Sequence, residues 1–268
     1  MDFLVLGIVF IFGTIVGSFL NVIIYRYNSG MSPLSGRSQC FACAKTLRFY
    51  ELVPIFSFLL QGGRCRGCKV KFSLQYPLVE GMTGFMFLAV YLLGKPLPES
   101  IYLVVIFSTL IVIALYDVRH QIIPDGLAAF FALLALGWFF WVAGFARALH
   151  FPYLWTIIAG PMLFLPFWFL WFVSGGRWLG LGDGKLALGI GWFLGATLGG
   201  SAVMLAFWIG ALWALGVMAL QKIGAHFFSR HLSMQSEIPF GPLLILGLFI
   251  VYFTGVNFFD GSVNLFHF

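Results

Sequence analysis

Nine carboxylates in 268 residues are few enough to weigh one by one: Asp2, Glu51, Glu80, Glu99, Asp117, Asp125, Asp183, Glu237 and Asp260. Most have plain readings. Asp125 follows Pro124, and a proline with an acid just after it marks a helix start, where the macrodipole favours negative charge. Glu80 and Glu237 stand at the openings of apolar runs and suit helix N-termini in the same way. Asp117 and Asp183 resist such readings. Asp117 closes the apolar run Ile113-Ala-Leu-Tyr116-Asp117, on the wrong end of a helix dipole. Asp183 lies in Gly180-Leu-Gly182-Asp183-Gly184-Lys185, where glycines allow close approach of a partner. The bland alternatives are a helix-opening charge for Asp183 and an ion pair of Lys185 or Arg119 with either acid. Two facing carboxylates can share one proton. One then takes a proton from water while the other protonates a carbonyl or leaving amine, and no covalent intermediate is needed. Asp117 and Asp183 are therefore the candidate catalytic pair, with Gly180, Gly182, Gly184 and Lys185 as the supporting motif.

The other chemical signal is Cys40-Phe-Ala-Cys43 and Cys65-Arg-Gly-Cys68, separated by twenty-one residues. Two CxxC knuckles at this spacing can give four thiolates to one tetrahedral Zn²⁺. Disulfides are disfavoured if the segment faces a reducing compartment, and no thioredoxin-like βαβ pattern surrounds either pair. With sulfur in all four positions the site has no opening for substrate, so its expected role is to fold a polar loop. No Ser/His/Asp order, HExxH or strand-linked GxGxxG competes with these two constellations, and His120 stands alone.

The elements that must position these residues are membrane helices. Of the residues 61% are apolar and 9% charged, against about 25% charged in soluble domains, and the mean hydropathy is +1.01. Soluble, disordered and fibrous classes are excluded, and 33 Phe are a lipid-facing bias, with no sign of a nucleic-acid partner. Runs able to cross about 30 Å of hydrocarbon fall at about 4–25, 77–94, 101–117, 123–145, 152–174, 185–199, 201–221 and 238–258. The split at Gly199-Gly200-Ser201 decides between eight spans and seven with one bent helix. The first run has no basic flank and reads as a retained helix. Eight of the fifteen Lys and Arg lie in the stretch from Arg26 to Pro77. Placing that stretch in the cytoplasm puts thirteen basic residues inside and two, Lys95 and Arg147, outside, as the positive-inside rule requires. Seven spans would strand Lys222 and Arg230 outside. Both termini are then periplasmic, and Asp117 and Asp183 share the cytoplasmic end of the bundle, where ionisable residues at membrane depth point to function. The expected architecture is an all-α polytopic membrane protein of about eight transmembrane helices. It divides into a first helix (1–25), a cytoplasmic zinc-binding loop domain (26–76) and a seven-helix core (77–268).

Taken together, these residues resemble the type IV prepilin peptidase family, of the GxGD class of membrane aspartic proteases. Gly17-Ser-Phe-Leu-Asn21, the two CxxC pairs with Glu51-Leu-Val-Pro54 and Tyr76-Pro-Leu-Val-Glu80, Tyr116-Asp117 through Ile123-Pro124-Asp125, Gly180 to Leu186, and Ile238-Pro-Phe-Gly-Pro242 follow its motifs in order. One departure is Phe41, where the family usually has proline. The resemblance implies a bifunctional enzyme of the bacterial inner membrane. Such an enzyme cleaves the leader of prepilins or pseudopilins after a glycine. It then N-methylates the new N-terminus with S-adenosylmethionine, at a site assigned only loosely to the cytoplasmic domain. It implies Asp117 and Asp183 as catalytic and Cys40, Cys43, Cys65 and Cys68 as zinc ligands. A cation-coupled transporter also uses intramembrane acids, but the chain shows no internal repeat and both acids lie near one surface. A zinc-loop scaffold for pilus assembly would leave the aspartates without a task.

Overall fold

The computed structural model describes residues 3–32, 34–148, 150–151, 153–222, 239–260 and 262–263. Asp2, Arg230 and Glu237 lie outside the described residues. The chain forms two compact units, Met1–Val112 and Ile113–Phe268.

The first unit holds α1 (Phe3–Arg26), a 3₁₀ turn (Phe49–Glu51), α2 (Phe56–Leu60), α3 (Gln75–Leu92) and most of α4 (Leu97–His120). Small residues let α1 and α3 touch, as packing within a bilayer requires: a Cβ on Gly13 would lie 2.8 Å from the Gly84 Cα. At the end of the contact the Asn21 amide donates to the Tyr76 carbonyl at 3.2 Å, and the Tyr25 and Tyr76 rings stack with centroids 5.1 Å apart. The cysteine loop is tied down at both ends. The Arg26 guanidinium gathers the carbonyls of Ser32 and Ser35 at 2.8 and 2.7 Å. The Glu80 carboxylate accepts the Ile55 N–H at 2.7 Å, at a residue whose φ of 60° is costly for a β-branched side chain. Glu80 is thus no helix-opening charge. It sits inside α3, buried, and holds the start of α2.

The second unit holds the last turns of α4, then α5 (Asp125–Ala143), α6 (Phe145–Ala148), α7 (Leu154–Ser174), α8 (Leu181–Lys222), α9 (Gly241–Thr254) and a short hairpin of β1 (Val256–Asn257) and β2 (Ser262–Val263). α8 is the hub and packs on α5, α7 and α9. Its 42 residues would span about 63 Å if straight, twice the hydrocarbon thickness of about 30 Å. It is not straight: Gly195 has φ 81° and ψ −177°. A Cβ on Gly199 would lie 3.5 Å from the Gly191 Cα. Phe167 of α7 meets both Gly184, at 3.1 Å from its Cβ position, and the Phe207 ring, at 6.2 Å between centroids. The pairs 191·199 and 184·207 centre on residue 195, so α8 is a helical hairpin whose two ends return to one side.

Among the described residues, five helices are long and apolar enough to cross a membrane. With α8 doubled, and with the shorter α3 and α9, each of the eight predicted runs carries an apolar helical segment. The protein is a polytopic all-α membrane protein. The reversal lies at Gly195, ahead of the Gly199-Gly200-Ser201 expected from composition, because the turn needs a backbone conformation that only glycine adopts freely. Gly195→Ala is expected to destabilise the protein by about 1–3 kcal/mol, the cost of a side chain in that region. Thermal melting in detergent would show it, and a variant as stable as the parent would contradict the requirement.

Candidate active site and metal centre

α4 runs on past Asp117 to His120, where Gln121, at φ 55°, turns the chain and donates its N–H to the Asp117 carbonyl at 2.7 Å. Ile123 and Pro124 then lead into α5. Asp117 is only 4% exposed. Its Oδ2 accepts the N–H of Gly241, the first residue of α9, at 3.1 Å. This resolves the problem of a carboxylate at the negative end of α4: the positive end of α9 faces it. Gly241 must be glycine for that approach, since a Cβ there would stand 2.7 Å from Oδ2.

Asp183 occupies the first turn of α8, 9% exposed, with its N–H donated to the Gly180 carbonyl at 3.2 Å. Gly182 leaves room for Ile123, whose Cβ lies 2.9 Å from where a Gly182 Cβ would be. The same Ile123 reaches Gly241, with its Cδ1 3.0 Å from that glycine's Cβ position. Ile123 therefore wedges the turn after α4 against the openings of α8 and α9 together. Gly184 lets Phe164 and Phe167 approach. Asp117 and Asp183 end up close enough for the charge on one to act on the other. Lys185 turns away from both, and its Nζ donates to Asp125 at 2.6 Å on the surface, where a pair contributes little. His120 stacks on Tyr116 with ring centroids 4.4 Å apart.

The structure thus brings together both predicted aspartates and gives Gly180, Gly182 and Gly184 local tasks. It moves Lys185 from the acids to Asp125. Sequence reasoning assigned no chemistry to Gly241 or Ile123. The signal for Gly241 was present in Gly241-Pro242, a helix start with free N–H groups, but nothing local pointed to its partner 124 residues away.

In the first unit, the two knuckles are built alike. Isolated bridges Gln39↔Thr46 and Arg64↔Lys71 clasp them. Cys40 and Cys65 donate N–H groups to Lys45 and Val70 carbonyls at 2.9 Å each, and accept from Ala44 and Lys69 at 2.9 and 3.0 Å. Ala44 and Lys69 both have positive φ, 54° and 61°. The four Sγ atoms lie within 4.8 Å of one another, with Cys40–Cys68 at 3.8 Å and Cys43–Cys65 at 4.0 Å. A tetrahedral metal with bonds of about 2.3 Å needs sulfurs about 3.8 Å apart, so the tetrad could hold a metal ion with its more distant sulfurs drawing in by about 1 Å or less. The N–H groups of Cys68 and Gly67 hold the Cys65 thiol down at about 7, toward the thiolate that a metal requires. Beside it, Glu51 takes the Arg48 N–H at 2.9 Å and the Lys45 ammonium at 3.2 Å. Both keep its carboxyl below the usual range, the backbone N–H foremost.

Residues 11–93 match the family model described as Bacterial Peptidase A24 N-terminal domain, and residues 104–215 match that of the Type IV leader peptidase family. The prepilin leader peptidase/N-methyltransferase of Bacillus subtilis is 32% identical over 257 residues, covering 93% of this chain and 94% of the relative. The protein of the same name from Aeromonas hydrophila is 27% identical, covering 95% and 92%, and that from Pectobacterium carotovorum subsp. carotovorum is 29% identical, covering 94% of each. No solved structure matches the chain. With both family models in sequence along the chain and a relative matched almost end to end, the chain belongs to the type IV prepilin peptidase family.

Proposed function

We propose that this protein is a prepilin leader peptidase and N-methyltransferase of the bacterial inner membrane. The observation that carries the reading is the meeting of two buried carboxylates, Asp117 and Asp183, at the ends of α4 and α8 in a chain of this family. Asp117 and Asp183 are the catalytic pair. One carboxylate takes a proton from water as the water oxygen attacks the scissile carbonyl after glycine. The other carboxyl protonates the leaving nitrogen as the C–N bond breaks, which yields the leader's carboxylate and a free α-amine. The Gly241 N–H steadies Asp117 through the cycle, and the pair needs no covalent intermediate. S-adenosylmethionine, when bound, would supply the methyl group for the freed amine, with S-adenosylhomocysteine and one proton as the other products.

The metal held by Cys40, Cys43, Cys65 and Cys68 is zinc, by the preference of four-thiolate tetrahedral sites. Its role is structural, because no coordination position is left for substrate. The loop of residues 26–76 faces the cytoplasm and both termini the periplasm, a reading supported by the thirteen-to-two charge asymmetry. Substrates are prepilins or pseudopilins, whose leaders are cleaved at the cytoplasmic face.

Three outcomes test this. Asp117→Asn and Asp183→Asn should each slow leader cleavage by about 10²–10⁴-fold. Methylation of an already cleaved pilin should survive in both, as mass spectrometry of the products would show; full cleavage by either variant refutes the pair. Metal analysis should find about one zinc per chain, as a four-thiolate site requires, and Cys43→Ser should lose it and lower the melting temperature. Unchanged zinc in Cys43→Ser rejects the site. An impermeant thiol reagent applied outside intact cells should fail to label cysteines introduced at positions 30–60, and strong labelling there overturns the orientation.

A further inference from the structure

Helix α2 turns an apolar face outward. Phe56, Leu59 and Leu60 are 64%, 66% and 81% exposed, and their i, i+3, i+4 spacing puts them on one side of the helix. Phe58 points the other way, with its Cζ 2.9 Å from the Cβ position of Gly63. A contiguous exposed apolar face of this kind marks a contact surface.

The level of this face is set by α3. The Glu80 carboxylate accepts the Ile55 N–H at 2.7 Å, so the start of α2 lies within one side chain's length of the Glu80 backbone. α3 has 18 residues and is about 27 Å long, no longer than the hydrocarbon layer of about 30 Å. Glu80 stands in its second turn, about 7.5 Å along the axis from Gln75. A span with no length to spare cannot hold its second turn clear of the bilayer. α2 therefore lies at the boundary between hydrocarbon and headgroups.

The exposed charges beside it have one sign. Between residues 27 and 79 the acid is Glu51 alone, which is buried and paired with Lys45. Arg37, Arg48, Arg64, Arg66, Lys69 and Lys71 are exposed. The second knuckle grows directly from α2: Gly63 donates its N–H to the Phe58 carbonyl at 2.8 Å, and Arg64 then bridges Lys71. Bridged residues share a face, and like charges directly opposite repel. An anion between them relieves that cost.

We propose that α2 and the second knuckle form a lipid-docking surface. Phe56, Leu59 and Leu60 enter the interface of the bilayer that α1 and α3 cross, and Arg64 and Lys71 take the phosphate of an anionic phospholipid. The surface fixes the height of the cysteine loop over the membrane. The positive-inside rule also selects a basic loop, but it asks nothing of the apolar residues beside the charges, whereas interfacial segments need both. An acidic protein partner matches the charges but would have to reach an apolar face at headgroup depth. That the lipid belongs to the cytoplasmic leaflet rests on the orientation proposed above.

The test embeds the unmodified full-length protein in nanodiscs of phosphatidylcholine and phosphatidylglycerol doped with a phospholipid that carries a diazirine near the top of its acyl chain. Adducts formed on irradiation are mapped by peptide mass spectrometry. Label at residues 52–60 is expected alongside label on the spans. Labelled spans with none at 52–60 overturn the surface and leave the apolar face to a protein partner. A nanodisc offers both leaflets alike, so this result stands whichever way the loop faces in the cell. The charges are tested with Arg64→Gln/Lys71→Gln, whose melting temperature and size-exclusion profile report the fold. Native mass spectrometry of phosphatidylglycerol retained in detergent should show binding weakened by about tenfold or more, since each basic residue near an anionic surface contributes about fivefold. Phosphatidylcholine retention should not change. Equal retention of phosphatidylglycerol by parent and folded variant overturns the phosphate contact.

Discussion

The second unit depends on satisfying a buried carboxylate at the C-terminal end of a helix. Asp117 stands where the dipole of α4 opposes its charge and where water is nearly excluded, so only a donor brought from elsewhere can stabilise it. The donor is the Gly241 N–H at 3.1 Å, at the positive end of α9. That one bond requires α9 to begin where the turn after α4 ends, Gly241 to lack a side chain, and Ile123 to fill the gap toward Gly182. The opening of α8, with Asp183 in its first turn, is held in the same contact. A rigid frame of this kind keeps the two carboxylates in register better than loop placement does.

The hairpin of α8 serves the same geometry from the other side. A hub helix of 42 residues that ran straight would carry Lys222 far from Asp183. Folding at Gly195 returns the chain to the side it left and lets α9 follow with its N-terminus near Asp117. Without a hydrophobic drive between helices in lipid, close packing does the work. The glycines of α8 facing Phe131, Phe164 and Phe167 interlock small residues with large rings.

The first unit solves a different problem. A polar loop of about fifty residues between two membrane helices has too little apolar surface for a core. Its order comes from cross-links of other kinds: two matched knuckles that converge four sulfurs, an Arg26 clamp on the preceding turn, and the Glu80 anchor on Ile55. The same ties leave a walled space lined by the Tyr25, Phe41, Phe72 and Tyr76 rings. A loop held open in this way encloses a cavity without a large hydrophobic core.

Much of this was legible in the sequence because the relevant signals are local or compositional. Eight apolar runs follow from the hydrocarbon thickness. The four cysteines follow from spacing, since a knuckle is built within a few residues. Asp117 and Asp183 stood out because each was poorly explained by its own neighbourhood, Asp117 by sitting against the dipole and Asp183 by its glycine setting. What the tertiary structure decided are pairings between residues far apart in the chain. Periodicity marks that a helix exists; it does not say which N–H meets which carboxylate. Thus Gly241 reaches across 124 residues to Asp117, Lys185 across 60 to Asp125, and Glu80 back across 25 to Ile55, each determined by how helices cross. The reversal at Gly195 was hidden for a related reason. Among several glycines in one apolar run, only the packing of both arms on α7 and α9 selects the one whose backbone turns, because the strain of that turn is offset by contacts that exist only once the helices have met.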